Sequence, residues 1–249
     1  MKPRLWFALA TGLAAWLAFA GPALAQVCAV PGSSGAGSVS GVVNTYYPGT
    51  SSASAGSTSI AVGSPTGAGT PIAAGDLLLV IQVQDASISS SNSAAYGGSG
   101  SGQGYTSLNS SGLYEYVIAT GPVAAGAVPL ASGLLNSYSV ANANSINGQK
   151  RFQVVRVPQY STATLTGTVT APAWDGSTGG IVAFDVAGSL NWGGQTIDVN
   201  GRGFRGGGAQ CSITSGGGWL NTDYRTSSAG LTMGFTGPPV NPAANVPNN

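Results

Sequence analysis

The sequence has no histidine among its 249 residues and only two cysteines, Cys28 and Cys211. Histidine is the usual general base of hydrolytic triads and the commonest zinc ligand, and two cysteines cannot complete a four-ligand zinc site. The composition therefore excludes histidine-based hydrolases and most zinc proteins. Charged residues are also scarce, at 6 % of the chain, and the basic ones are scattered. A nucleic-acid-binding surface needs clustered basic residues, so we expect no nucleic-acid partner.

The N-terminal segment, Met1 to Ala25, has the pattern of a cleaved export signal. Lys2 and Arg4 give a positive start, residues 5–20 form an apolar run, and the small-x-small residues 23–25 precede Gln26. The apolar run is shorter than the ~20 residues that a membrane-spanning helix needs, and no other segment approaches that length. We therefore expect a mature chain without a membrane-spanning segment, located outside the cytoplasm as a secreted or cell-surface protein.

Composition divides the chain into four segments. They are a signal peptide over residues 1–25, a Ser/Gly-rich N-terminal segment over 26–74, an all-β module over 75–209, and a poorly ordered Gly/Pro/Asn-rich tail over 210–249.

Alternation of apolar and polar residues dominates the middle of the chain and predicts β-strands. In residues 75–86 the string GDLLLVIQVQDA has one wholly apolar face and a second face that turns polar at Gln82. Similar patterns cover residues 112–120 and 151–160, and no helical periodicity follows the signal. We predict an all-β fold, with a β-sandwich-like or β-roll region that leads into a short glycine-rich parallel β-solenoid segment.

The solenoid prediction comes from the chain after Gly179, where short apolar pieces alternate with glycines at near-regular intervals. Pieces such as residues 182–186 and 197–199 can stack as rungs, because each coil of a solenoid buries its apolar face against its neighbours. A closing hairpin of a β-sandwich is the alternative that the same alternation permits.

Residues 161–171, STATLTGTVTA, place small and apolar side chains on one face and a ladder of threonines on the other. An ice-binding or glycan-binding threonine array is one interpretation, but such surfaces need several matching strands and the sequence shows one. We favour the other interpretation, in which β-branched residues cover an ordinary solvent-facing side of a sheet.

Other residue patterns give no chemical site. Glu115 and an aspartate could formally make a glycosidase pair, but no spacing favours it. The string GRGFRGGG at residues 201–208 lacks the following helix that a phosphate-binding loop requires. The later acidic residues follow no calcium-ligand spacing and are better explained as turn and strand-end residues. These are Asp175, Asp185, Asp198 and Asp223. We predict no catalytic, cofactor-binding or metal-binding residues and no cofactor.

Residues 87–112 form a long uncharged run of Ser, Gly, Asn and Tyr, which we expect to be an exposed loop because little in it can offset the entropy of ordering. Tyr96 and Tyr105 in this run can stack on a sugar or pack against a protein surface. We assign any binding to this loop rather than to the glycine-rich turn. A surface loop that merely tolerates such residues is the alternative.

Four strings resemble, in this order, the N-terminal module of large exported bacterial surface proteins of the adhesin or gliding-motility type. They are GDLLLVIQVQDA, GLYEYV, RFQVVRVPQYSTATLTGTVTAPAWDGSTGGIVAFDVAG and IDVNGRGFRGGG. The resemblance implies a non-catalytic role in attachment or surface organisation, with surface glycans or other cell-surface proteins as partners, and carries over no catalytic residues. A secreted carbohydrate-active enzyme or a glycan-binding β-solenoid is the alternative function.

We predict export with cleavage after Ala25, because the small residues at positions 23 and 25 fit the cleavage pattern. N-terminal sequencing of protein recovered from the periplasm or the medium should begin at Gln26. An intact Met1 on a membrane-embedded protein would contradict the prediction.

We also predict a disulfide between Cys28 and Cys211, because disulfides persist outside the cytoplasm. For so long a loop the chain-entropy description gives a stabilisation of about 3–5 kcal/mol. The alternative is two unpaired thiols. Titration of the denatured, unreduced protein should find no free thiol, and two reactive thiols per chain would exclude the bridge.

Overall fold

The computed structural model describes residues 30–88, 105–142 and 149–203. Within these ranges every regular element is a β-strand, which confirms the predicted all-β class. The same residues contain no helix that is long and apolar enough to cross a membrane. In chain order the strands are β1 (Gly37–Val42), β2 (Thr45–Pro48), β3 (Ser59–Ala61), β4 (Thr66–Gly67), β5 (Leu77–Gln84), β6 (Ser87–Ile88), β7 (Tyr105–Ser107), β8 (Tyr114–Ile118), β9 (Ala127–Pro129), β10 (Arg151–Val157), β11 (Gln159–Tyr160), β12 (Ala163–Thr170), β13 (Asp185–Val186) and β14 (Leu190–Asn191).

Five antiparallel strands form the central sheet, in the order β4-β2-β10-β5-β8. Strand β5 lies between β10 and β8, and its residues 77–81 are apolar on both faces because both faces are covered. Leu78 and Val80 point into one core cluster, which the paired strands β3 and β9 and their loops help to close. Leu77 and Leu79 point into a second cluster on the opposite face. The central sheet is therefore the middle layer of the fold.

A second sheet, the parallel sheet, has the order β1-β12-β14. Ala163 pairs with Leu190, and a parallel bridge joins Val169 to Ile197. The strands β11 and β13, which precede β12 and β14 in the chain, also pair in parallel. In each of these three pairings a similar number of residues separates the two partners. The pieces after Gly179 thus stack in parallel on earlier strands, whereas a hairpin would pair them antiparallel. The described strands do not close a coil, so the solenoid remains a prediction.

Residues 179–186, called here the dividing segment, lie between the two sheets. Ile181 and Ala183 pack against the central sheet, with Leu77, Leu79 and their neighbours. Val182 and Phe184 pack on the other side, against the inner face of the parallel sheet. The alternating residues of this extended segment therefore fill two separate cores, one on each side of it.

Polar side chains hold the backbone of the dividing segment at alternate residues. The Gln153 side chain accepts a hydrogen bond from Gly179 N (3.0 Å) and donates one to Gly179 O (2.9 Å). Asn44, just before β2, does the same at Ala183: its Oδ1 accepts from the backbone N–H (2.9 Å) and its Nδ2 donates to the carbonyl (2.5 Å). Each amide thus supplies the donor and the acceptor that a neighbouring strand would supply.

Between these two contacts, the Tyr46 hydroxyl donates a 2.6 Å hydrogen bond to Ile181 O. Tyr46 is fully buried, and burial raises the pKa of its phenol well above the ordinary value. The hydroxyl therefore stays protonated and remains a donor across the pH range in which proteins fold. The three side chains together provide hydrogen-bond partners for backbone groups of the dividing segment that lie against the central sheet.

We predict that Gln153→Leu destabilises the protein strongly, because it leaves the buried N–H and C=O of Gly179 without partners. Two buried unpaired backbone groups should lower the unfolding free energy by about 2–6 kcal/mol. Urea denaturation monitored by circular dichroism measures this loss.

The matched control is Gln195→Leu, because the Gln195 side chain is half-buried and makes no hydrogen bond with another described residue. It should change the unfolding free energy by less than about 0.5 kcal/mol. Equal effects of the two substitutions would show that the Gln153 contact does not hold the dividing segment.

Candidate ligand-binding face

The outer side of β12 carries a ladder of exposed hydroxyls. Ala163, Leu165 and Val169 are buried, while the intervening threonines face solvent, as the alternation predicts. Along a strand, side chains on one face repeat every two residues, or about 6.6 Å. The exposed members of the ladder are Thr162, Thr164, Thr166 and Thr168.

Both neighbours of β12 extend this ladder sideways. Ser38 of β1 and Asn191 of β14 are each paired with Thr164, and all three side chains are exposed. Ser40 is also exposed, on the same strand as Ser38. Adjacent strands are about 4.8 Å apart, so the three residues form a row of polar groups across the sheet. We call the row and the threonine ladder together the hydroxyl face.

The β14 side of the hydroxyl face is fixed by a tight turn. The Asn191 side-chain Oδ1 accepts a 3.0 Å hydrogen bond from Gly193 N, which leaves its Nδ2 free to donate outward. Gly193 has a φ of +55°, and a Cβ there would lie 2.7 Å from Leu165 O, so only glycine fits. Trp192, between these residues, exposes 50 % of its surface. An exposed large aromatic residue thus follows Asn191 directly in the chain.

The chemistry of this face is that of neutral hydrogen bonding. Hydroxyl groups both donate and accept, and the Asn191 amide adds donors. Asp198 is near one end, where its carbonyl accepts a 2.6 Å hydrogen bond from Thr170 Oγ1. No group of three or more potential metal ligands occurs among the described residues. The face suits a hydroxylated, uncharged ligand.

The carboxylates considered from sequence do not converge in the described structure. Asp175 accepts hydrogen bonds from Ser177 N and Thr178 N within its own turn, and Asp198 accepts one from Asn200 N. They therefore act as turn residues, as predicted. Asp185 lies in β13, and Asp223 lies outside the described residues.

Glu115 has a structural role, because it binds the backbone of a loop. Its two carboxylate oxygens accept hydrogen bonds from Leu135 N (2.8 Å) and Asn136 N (3.0 Å). Burial, together with the negative charge of Glu115, raises the pKa of Tyr138 far above its ordinary value. The position of Glu115 is that of a buried anchor for a loop.

The predicted binding loop is described only at its base. There Asp85 forms a 2.6 Å ion pair with Lys150, and its other oxygen accepts a hydrogen bond from Ser110 N (3.0 Å). Tyr105 is the first residue of β7, which pairs with β6. Tyr96 lies outside the described residues, as do both cysteines of the predicted disulfide, Cys28 and Cys211. The assignment of binding to this loop stays a prediction.

The glycine-rich string GRGFRGGG is described only for its opening Gly-Arg-Gly. This part forms a turn in which Arg202 N donates to Val199 O (3.0 Å). The Arg202 carbonyl accepts a hydrogen bond from Trp174 N (2.8 Å). The described part of the string is therefore joined by a backbone hydrogen bond to Trp174, whose side chain is buried.

No protein-family model and no curated protein matches the chain. Among solved structures, similar chains include the Gp54 tailspike of Acinetobacter baumannii bacteriophage AP22, in complex with A. baumannii capsular saccharide. It is 13 % identical with a TM-score of 0.27, and the match covers 52 % of this chain and 17 % of the tailspike. The tailspike protein gp49 of Pseudomonas phage LKA1 is 20 % identical with a TM-score of 0.26, covering 51 % and 18 %. These likenesses are too low to carry an argument about this chain.

Proposed function

We propose that this chain is a non-catalytic module of an exported surface or secreted protein, and that it binds surface glycans through the hydroxyl face. The observation that carries the proposal is the row Ser38, Thr164 and Asn191, in register on three parallel strands with each side chain exposed. A single threonine strand is ordinary, but matched polar groups on its neighbours make a surface that can contact several hydroxyls of one ligand.

The physical fit to glycans has two parts. Sugar hydroxyls need partners that both donate and accept, which threonine and serine supply. Sugar rings also have apolar faces that pack on aromatic side chains, and the half-exposed Trp192 offers one. Each contact is weak, so appreciable attachment needs many copies on a surface. This is the situation of a displayed surface protein.

The parallel stacking supports a finer proposal about architecture. The chain acts as the first part of a short parallel β-solenoid, with β1 as the outermost rung and the central sheet covering the stack. Solenoids need such terminal elements, because an unprotected end would expose both apolar surface and a strand edge. This role agrees with the resemblance to the N-terminal module of exported adhesin-type proteins. The predicted export signal at residues 1–25 supports an extracytoplasmic location.

The carbohydrate-active enzyme alternative receives less support. A lyase face needs charged groups on successive rungs, whereas the hydroxyl face carries neutral side chains. A glycosidase needs two available carboxyl groups, and Glu115 is engaged by two backbone N–H groups. Non-catalytic binding therefore accounts better for the residues that the hydroxyl face presents.

We predict that the triple variant Thr164→Ala, Thr166→Ala, Thr168→Ala binds glycans more weakly, because it removes three exposed hydroxyls. Losing three hydrogen bonds of about 0.5–1.5 kcal/mol each should weaken binding by about tenfold or more. Affinity electrophoresis in gels that contain neutral glucan, mannan or galactan measures the retardation of each protein.

The control is the triple variant Thr164→Ser, Thr166→Ser, Thr168→Ser, which keeps the hydroxyls and should bind like the original chain. Thermal melting should show that both variants fold. The proposal fails if no polysaccharide retards the original protein, or if the alanine variant is retarded as strongly. Release of new reducing ends from the retarding polysaccharide would overturn the non-catalytic assignment.

A further inference from the structure

A pair of tyrosines lies on an edge strand of the central sheet, whereas the hydroxyl face belongs to the parallel sheet. Tyr114 and Tyr116 alternate along the edge strand β8 and therefore share one side of it. Their rings are 6.1 Å apart at an angle of 83°, an edge-to-face arrangement. Tyr116 packs partly on the core cluster below the dividing segment, whereas Tyr114 is 57 % exposed. One ring is thus anchored and holds the other in place.

An acidic side chain accompanies this pair. In the dividing segment Ile181 and Ala183 point toward the central sheet, and the same alternation directs Asp185 toward the side on which Tyr116 lies. Burial raises the pKa of Tyr116, and the charges of Tyr114 and Asp185 raise it further, which agrees with this proximity.

Asp185 also differs from the other carboxylates of the described residues. Each of the others accepts a hydrogen bond or forms an ion pair, while the Asp185 carboxylate does neither with any described residue. It is half-buried, so its negative charge is only partly hydrated. A cation from a ligand would supply the missing partner. The negative faces of the two tyrosine rings favour a cation as well.

We propose that Tyr114, Tyr116 and Asp185 form a second site, which binds a glycan that carries free amino groups. The apolar face of a sugar ring packs on the exposed tyrosine, and an ammonium group on the same or the next sugar pairs with the carboxylate. The choice of a glycan rests on the proposed function, but the site uses none of the residues of the hydroxyl face. The two assignments can therefore fail separately.

The probes are a chitosan tetramer, with free amines, and its fully N-acetylated counterpart, which has the same backbone without the charge. Isothermal titration should show that the original protein prefers the chitosan tetramer by about three- to tenfold. Asp185→Asn should abolish this preference, because it removes the charge and keeps the shape. Tyr114→Ala should weaken binding of the tetramer, while Tyr114→Phe, which retains the ring, should not.

The Thr164→Ala, Thr166→Ala, Thr168→Ala variant separates the two sites. An unchanged preference for the free amine in this variant supports a second site, even if neutral polysaccharides no longer bind. Loss of the preference there, or its persistence in folded Asp185→Asn protein, overturns the inference and leaves the proposed function standing. A tetralysine peptide that binds more tightly than the chitosan tetramer, and does so through Asp185, would show that the site recognises a protein and would overturn the glycan assignment.

Discussion

The pairing of buried backbone by side-chain amides is the interaction on which the rest of the structure depends. Where an extended segment crosses the face of a sheet outside any strand pairing, as residues 179–184 do before β13 begins, its buried N–H and C=O groups still need partners. Gln153 meets this need at Gly179, and Gln82 meets it on the opposite face at Ser139, with hydrogen bonds of 2.7 and 2.9 Å. A neutral amide offers a donor and an acceptor without the cost of burying a charge.

Fixing the dividing segment in this way determines where both cores lie. Ile181 and Ala183 complete the core under the central sheet, and Val182 and Phe184 complete the one behind the parallel sheet. The inner side of β12 can therefore be apolar only because the dividing segment is held against it. The threonines on its outer side face solvent as a direct result. The geometry of the hydroxyl face thus depends on buried hydrogen bonds in a different layer of the fold.

The sequence predicts the strands well and their partners poorly. Local alternation suffices for β5, β10 and β12, because it depends on residues two positions apart. The pairing of Thr164 with Ser38 joins residues from distant parts of the chain, and nothing in the local pattern specifies such a register. For this reason the threonine strand looks solitary in the sequence. Its matching neighbours become apparent only when β1 and β14 are placed beside it.

Burial of polar residues is the other feature that the sequence pattern conceals. The polar half of β5 looks like a solvent-facing end, yet Gln82 and Gln84 are fully buried. Periodicity distinguishes the two faces of a strand but cannot show whether a loop will cover the polar one. A run of buried glutamines in an otherwise apolar strand could have signalled a crossing segment, since each amide must find partners.

The few charged side chains of the described residues are mostly used to hold the fold together. Asp76 and Arg156 form a bidentate pair at 2.7 and 2.8 Å, and Asp85 and Lys150 close the base of a long loop at 2.6 Å. Partly buried pairs of this kind are costly to break, because each leaves an uncompensated charge. The other described carboxylates form ion pairs or accept hydrogen bonds from backbone N–H groups. Asp185 is half-buried and has no such partner among the described residues, which is an exception that the fold does not explain. Such exceptions are more informative in a protein with little charge, where packing and neutral hydrogen bonds otherwise account for the structure.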